Sequence, residues 1–104
     1  MDEKRYLDLI LLIEQIEMLI KNQVTSSNPL LIEWKNKMQI SIGELYGYKS
    51  KEYETFCNIR FEPNIVNIQD DYRENMRLFC EKQLLQVKED WQNKLKISSS
   101  TLFF

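Results

Sequence analysis

Apolar residues recur at helical spacing along most of the chain, and residues 6–20 are the most apolar stretch. At 3.6 residues per turn, this stretch forms a helix with one broad apolar stripe. The members of that stripe are Tyr6, Leu9, Leu12, Ile13, Ile16, Leu19 and Ile20. A second, narrower stripe runs along the opposite side and consists of Leu7, Leu11 and Met18. Because a helix that is apolar on two sides needs a cover on both, we expect a partner molecule to meet this protein at the narrow stripe.

The first helix should span residues 3–22, and a second helix should span residues 29–46. Asn28 is a favourable N-cap, since its side chain can accept a hydrogen bond from a free amide in the first turn. Pro29 suits the first helical position, and Gly47 suits the left-handed residue that often ends a helix. The core stripe of the second helix consists of Leu31, Trp34, Met38, Ile42 and Leu45. Its other large apolar residues should be partly exposed: Leu30, Ile32 and Ile40.

A short third helix and a long fourth helix complete the predicted set. Ser50 is the expected N-cap of the third helix, which should end near residue 59. The fourth helix should span residues 71–97, or about 40 Å at 1.5 Å per residue, so we expect its last two turns to project beyond the other helices. Its apolar stripe consists of Tyr72, Met76, Phe79, Cys80, Leu84, Val87, Trp91 and Leu95. Leu78 and Leu85 point away from this stripe. We expect the second and fourth helices to cover the broad stripe of the first.

These elements predict an all-α fold, namely a small four-helix bundle with one short helix and a long C-terminal helix. The chain has only two glycines and two prolines in 104 residues, fewer turn-forming residues than a sheet-rich domain of this size normally contains. We expect one helical domain over residues 1–97 and a C-terminal tail over residues 98–104. The apolar connection at residues 60–69 should pack along the bundle, with a short strand as the alternative. In the tail, Phe103 and Phe104 either dock on the domain or remain loose.

The charged residues disfavour several classes of partner. The net charge is −2, from 14 basic and 16 acidic side chains, whereas non-specific binding to nucleic acid usually needs a strongly basic surface. The longest unbroken apolar run, residues 9–13, is too short to span a bilayer. The N-terminus mixes charges and lacks the cleavage site of a signal peptide. We therefore expect a cytoplasmic protein without a membrane segment, and we infer no small-molecule substrate.

The sequence also lacks most of the residues that catalysis and metal binding use. It contains no histidine, the commonest general base and metal ligand. Two cysteines without histidine cannot form an ordinary structural zinc site. Cys57 and Cys80 both fall at apolar helical positions, so we expect both to be small buried side chains. Paired carboxylates such as Glu14 and Glu17 lie near lysines, which favours solvent-facing charge over catalysis. We therefore predict no catalytic residue, metal site or cofactor.

The aromatic residues are more informative than the charged ones. Trp34 and Trp91 fall on core stripes, where each buried indole N–H needs a hydrogen-bond acceptor. Trp34 is also close to Lys35 and Lys37, a combination that can stack on nucleic-acid bases. The tyrosines around the Gly47 turn either line a recognition patch with Trp34 or pack a helix corner: Tyr46, Tyr48 and Tyr53.

The corner between the second and third helices carries a recognisable pattern of aromatic, glycine and serine residues. It combines an early tryptophan, a leucine before an aromatic–glycine pair, a serine, two aromatics and an Ile-x-Phe ending. The matching residues are Trp34, Leu45, Tyr46, Gly47, Ser50, Tyr53, Phe56, Ile59 and Phe61. Over residues 30–95 the chain resembles a helical region of bacterial abortive-infection and anti-phage defence proteins. In those proteins an effector domain often follows, whereas we expect none in this chain, whose sequence ends at residue 104. The resemblance implies a protein-interaction or self-association module without catalytic residues.

We therefore expect a non-enzymatic protein-interaction module that acts in the conflict between bacteria and phages. One version is a homodimer joined through the narrow stripe, alone or together with Leu78 and Leu85. Another is a phage-encoded inhibitor that covers a host defence protein. The alternative from a different class is a nucleic-acid-binding regulator that uses the edge containing Trp34. The residues predicted to bind a partner are Leu7, Leu11, Met18, Trp34, Tyr46 and Tyr48.

Overall fold

Helices and short connections make up the part of the protein that the computed structural model describes, residues 3–63 and 72–96. The helices are α1 (Glu3–Glu14), α2 (Ile16–Lys21), α3 (Pro29–Tyr46), α4 (Lys51–Cys57) and α5 (Tyr72–Lys94). α1 and α2 are two halves of one interrupted helix, and no strand occurs in the described ranges. The predicted all-α bundle with a long C-terminal helix is therefore confirmed. None of the described helices has the length and apolar character needed to cross a membrane.

The sequence predicts one continuous first helix, but in the structure this helix is interrupted at Gln15. Its hydrogen bonds remain helical on both sides, since Gln15 N–H donates to the Leu11 carbonyl and Leu19 N–H donates to the Gln15 carbonyl. The Leu12 carbonyl, however, accepts a hydrogen bond from the indole Nε1 of Trp34 at 2.8 Å. A side-chain donor that inserts into a helical hydrogen-bond ladder is a known cause of such irregularities. We attribute the interruption to this contact.

The predicted caps of α3 and α4 are confirmed. The Asn28 side chain accepts a hydrogen bond from Leu30 N–H at 2.9 Å, and Pro29 occupies the first turn. Gly47 ends α3 with a backbone φ of 98°, a conformation that residues other than glycine rarely adopt. Ser50 Oγ accepts a hydrogen bond from Tyr53 N–H at 3.1 Å. Because these signals are local, they define the corner between α3 and α4 without help from the rest of the fold. α4 is slightly shorter than predicted and ends at Cys57.

The hydrophobic core lies where α1 contacts α3 on one side and where α1 and α2 contact α5 on the other. The predicted broad stripe of the first helix supplies its centre, and this stripe is covered as expected. The core residues that are fully buried include Leu9, Ile16, Leu19, Leu31, Met38, Ile42, Cys80 and Leu84. Trp34 joins them at 2% exposure and packs edge-on against the rings of Phe56 and Phe61, with centroids 5.9 and 6.0 Å away. This aromatic cluster anchors α4 and the chain after it to α3.

The end of α5 does not project beyond the other helices, so that prediction is wrong. Trp91 is only 5% exposed and packs edge-on against Tyr46 at 5.7 Å. Lys94 Nζ lies 3.4 Å from a carboxylate oxygen of Glu52 in α4. The end of α3 and the start of α4 therefore cover the last turns of α5. The predictions for most of the 60–69 connection and for the tail with Phe103 and Phe104 lie outside the described residues.

The two cysteines differ in environment, although burial was predicted for both. Cys80 is fully buried, and burial raises the pKa of its thiol to about 11. Cys57 is exposed, so the prediction for that residue is wrong. The reason is the rotation of α4, which directs Phe56 into the core and therefore turns the next side chain outward by about 100°. Both thiols are free.

Candidate protein-interaction surface

The narrow stripe of the first helix is exposed. Leu7, Leu11 and Met18 are 52%, 56% and 42% exposed, and nothing in residues 3–63 and 72–96 buries them. They lie opposite the buried stripe because α1 and α2 turn Leu9 and Ile16 towards α3 and α5. Single exposed leucines are common on protein surfaces, but a line of three along one helix is a recognisable apolar surface. We refer to Leu7, Leu11 and Met18 as the outer stripe.

A groove between the first helix and α3 adjoins the outer stripe. It consists of two depressions of about 320 and 200 Å³, which share Gln15 and Lys37 as lining residues. Leu11 lines the first depression together with Ile40, and Met18 lines the second together with Leu30. Ile40 and Leu30 are 45% and 44% exposed. We call this feature the α1–α3 groove. It extends the apolar surface from one helix to two.

The charges along the α1–α3 groove are mixed in sign. Arg5 and Asp8 line its first depression, and Glu33 lines the second. Lys37 forms an ion pair with Glu33 at 3.0 Å, with both side chains more than half exposed. Such an exposed pair contributes less than about 1 kcal/mol to stability. The groove therefore has no strong preference for an anion or a cation, and its apolar residues dominate what it can bind.

Trp34 was predicted to bind a partner, but it lines the second depression of the groove with almost no exposed surface of its own. Its ring is 2% exposed and its indole N–H is already bonded to the Leu12 carbonyl. The neighbouring lysines are engaged elsewhere, since Lys35 Nζ lies 5.4 Å from the Phe61 ring centroid and Lys37 pairs with Glu33. The nucleic-acid hypothesis used the Trp34 ring as a stacking platform. Because that ring is buried, the hypothesis loses the observation on which it was based.

Tyr46 and Tyr48 are partly exposed, at 36% and 52%, but they face different neighbours. Tyr46 packs on Trp91, and Lys94 Nζ lies 5.8 Å from its ring centroid. Burial, followed by the nearby Glu52 carboxylate, raises the pKa of the Tyr46 hydroxyl. Tyr48 stacks edge-on against Tyr53, with ring centroids 5.1 Å apart. The structure therefore supports a helix corner packed by aromatic rings rather than one patch that includes Trp34.

Tyr48 also explains a glycine inside α3. A Cβ atom added at Gly43 would overlap the Tyr48 ring. The ring therefore lies directly against the backbone of the α3 helix, and Gly43 is buried beneath it. This contact could not be read from the sequence, because glycine within a helical pattern has several explanations.

A second apolar groove, of about 460 Å³, lies between α4 and α5. Phe56, Val87 and Trp91 supply its apolar lining, while Asp90 and Lys94 lie at its rim. The sequence predicted the core positions of these residues but not the groove. Its position depends on how α4 packs against the end of α5, which no local pattern determines.

The ionisable groups supply no further site within the described residues. No cluster of three histidine, cysteine or acidic side chains that could hold a metal occurs there. Two carboxyl groups have shifted pKa values, and both are lowered. A hydrogen bond from Lys88 at 2.8 Å, together with its charge, lowers the pKa of Glu17. A hydrogen bond from its own backbone N–H is the largest cause that lowers the pKa of Glu52.

No protein-family model matches the chain, and comparisons with curated proteins and with solved structures return no match. The pattern at the corner between α3 and α4 nevertheless has a clear local role. Gly47 ends α3, Ser50 caps α4, and Trp34 packs with Phe56 and Phe61. Capping and packing thus account for the residues that carry the resemblance to abortive-infection proteins.

Proposed function

We propose that this chain is a non-enzymatic, cytoplasmic helical module that binds protein, either a second copy of itself or a different chain. The observation that carries the proposal is the exposure of the outer stripe directly beside the α1–α3 groove. A different protein would bind by laying an apolar helix or loop along the groove, as amphipathic helices do in hydrophobic grooves.

The size of the apolar surface indicates that the stripe and the groove act together. Burying the exposed half of Leu7, Leu11 or Met18 contributes roughly 1 kcal/mol for each side chain. Three such residues contribute about 3 kcal/mol, which is less than the roughly 4–15 kcal/mol that association costs in lost freedom. A partner held by the outer stripe alone would therefore dissociate readily. Contacts to Ile40 and Leu30 in the groove supply the additional apolar area.

The biological setting that we propose is the conflict between bacteria and phages. In that setting the module acts by self-association or by covering and inhibiting a defence protein. This part of the proposal rests on the resemblance carried by the corner between α3 and α4. The test is to express the chain in bacteria that carry an active defence system and to measure phage plating. We expect plating to change with the wild-type chain and not with Leu11→Glu; unchanged plating with the wild-type chain would contradict the proposed setting.

The binding surface itself is tested with a matched pair of variants. Leu11→Glu places a charge in both the outer stripe and the groove, whereas Ile32→Glu places one on α3 at a residue that lines neither depression. The two side chains are 56% and 46% exposed, so both variants should fold. Affinity capture from cells, with quantitative mass spectrometry, measures which proteins each variant retains.

We expect a protein, or the chain itself, to be retained by the wild type and by Ile32→Glu but lost by Leu11→Glu. Circular dichroism serves to confirm that both variants keep the helical content of the wild type. Equal retention by Leu11→Glu and the wild type would show that the partner binds elsewhere. If the wild type neither self-associates nor retains any protein, the proposal of an interaction module fails.

A further inference from the structure

The outer face of α1 is self-complementary when one copy of the helix is reversed. Lys4, Leu7, Leu11 and Glu14 follow each other at intervals of three, four and three residues, which places all four on one side of the helix. Read in the opposite direction, the order becomes acidic, leucine, leucine, basic. We propose, building on the proposed function above, that the partner is a second copy of this chain and that the two α1 helices pack antiparallel about a two-fold axis between Leu7 and Leu11.

In this arrangement the leucines form the centre and the charges form the ends. Leu7 of one copy faces Leu11 of the other, so four leucines meet at the axis. Lys4 of one copy faces Glu14 of the other, and symmetry produces this ion pair twice. Such an interface is isologous, because the same surface of both copies meets itself. Its pattern matches that of antiparallel helices whose leucine seam is flanked by opposite charges.

The charges of Lys4 and Glu14 favour the antiparallel arrangement over the parallel one. Side by side in parallel, Lys4 would face Lys4 and Glu14 would face Glu14, and like charges at close range repel. Both side chains are exposed, and neither takes part in an ion pair with any residue in the described ranges. They are therefore free to pair with a second copy. The outer stripe alone would not select an orientation, since leucine packs equally well in either direction.

The size of the interface indicates a weak dimer. α1 has 12 residues and is about 18 Å long, whereas stable interfaces bury roughly 800 Å² on each partner. The contact between the two α1 helices alone is smaller than this. We therefore expect Ile40, which lines the α1–α3 groove with Leu11, to lie at the edge of the contact. We therefore expect a rapid equilibrium between monomer and dimer rather than a permanent dimer.

The arrangement is tested by exchanging the two charges. In Lys4→Glu, both symmetric contacts become pairs of glutamates, and in Glu14→Lys both become pairs of lysines. We expect each single variant to weaken dimerisation about tenfold, and the double variant Lys4→Glu/Glu14→Lys to restore it, because reversed charges attract equally well. Sedimentation equilibrium from micromolar to millimolar concentration measures the dissociation constants. The difference between the single variants and the wild type should shrink at high salt.

Leu11→Glu and Ile32→Glu provide the controls. The first should abolish dimerisation, and the second should leave it unchanged, since Ile32 is not part of α1 or of the groove lining. A dimer that Leu11→Glu abolishes but the charge variants leave unchanged would overturn the antiparallel alignment while the proposed interaction module stands. A wild-type chain that stays monomeric at millimolar concentration would overturn self-association. In that case, capture of a different protein that depends on Leu11 would still support the proposed function.

Discussion

At the scale of single residues, the contact that most affects the first helix is the hydrogen bond from Trp34 to the Leu12 carbonyl. It satisfies a buried indole N–H with the Leu12 carbonyl, which lies in the last turn of α1 just before the interruption at Gln15. It also holds the Trp34 ring in the core, with 2% of the residue exposed beneath the second depression of the α1–α3 groove. One side chain thereby contacts both the interrupted helix and the groove beside it.

Replacing Trp34 tests the contribution of this hydrogen bond. Trp34→Phe leaves a buried carbonyl without its indole partner, whereas Trp91→Phe removes a similar volume without removing a hydrogen bond to any described residue. We expect Trp34→Phe to lower the free energy of unfolding by about 1–3 kcal/mol more than Trp91→Phe. Urea denaturation followed by circular dichroism measures the difference. Equal losses for the two variants would mean that the hydrogen bond contributes little.

The two cysteines should react at very different rates. Cys57 is exposed, whereas Cys80 is buried and its raised pKa keeps the thiol protonated at neutral pH. With a thiol-specific reagent, we expect one thiol per chain to react quickly in the native protein and a second to react only after unfolding. Cys57→Ser should remove the fast reaction. Rapid reaction of both thiols in native buffer would show that the packing around Cys80 opens readily.

The ion pair between Glu17 and Lys88 should make stability depend on pH. Since Lys88 lowers the pKa of Glu17 below its ordinary value of 4.5, the carboxylate stabilises the fold above that value. This contribution disappears as the pH falls through the lowered pKa and the carboxylate becomes protonated in the folded state. Glu17→Gln should therefore be less stable than the wild type at neutral pH and equally stable well below pH 4.5, as measured by urea midpoints. A difference that persists in acid would contradict this linkage.

At the scale of helices, the caps and the buried sides of the longer helices were readable in the sequence, but the rotation of the short α4 was not. The ends of α3 follow from Asn28 and Gly47, which act within their own turns. Cys57 was assigned to the wrong side because the rotation of α4 depends on how Phe56 meets the aromatic cluster. The same limit applies to the end of α5, whose cover comes from residues that are distant in the sequence.

Gly43 provides a test at this scale, because two effects oppose each other there. Alanine stabilises a helix interior by about 1 kcal/mol relative to glycine, but at this position its Cβ would displace the Tyr48 ring. We expect Gly43→Ala to give no stabilisation in the wild type and about 1 kcal/mol when Tyr48 is already alanine. Thermal unfolding of the four proteins of this double-mutant cycle measures the coupling. Stabilisation of equal size in both backgrounds would show that the ring moves without cost.

At the scale of the whole molecule, the outer stripe was predicted to be covered by a partner molecule, and its three side chains are exposed in the structure. The α1–α3 groove, in contrast, could not be predicted. Leu11 and Ile40 are far apart in the sequence, and only the pairing of α1 with α3 brings them to one surface. Amphipathic spacing assigns each residue to a face of its own helix, and the relative position of two helices depends on the packing of the entire core.

The most direct test of the binding surface is to record NMR spectra of the isotopically labelled chain over a range of protein concentrations. From micromolar to millimolar concentration, we expect amide resonances of α1 around Leu7 and Leu11, and of α3 around Ile40, to shift together along one binding curve. Resonances around Ile32 and Leu85 should remain in place and serve as internal controls. If no resonance moves, or if the changes occur only on α5, the outer face of α1 is not where two copies of this protein meet.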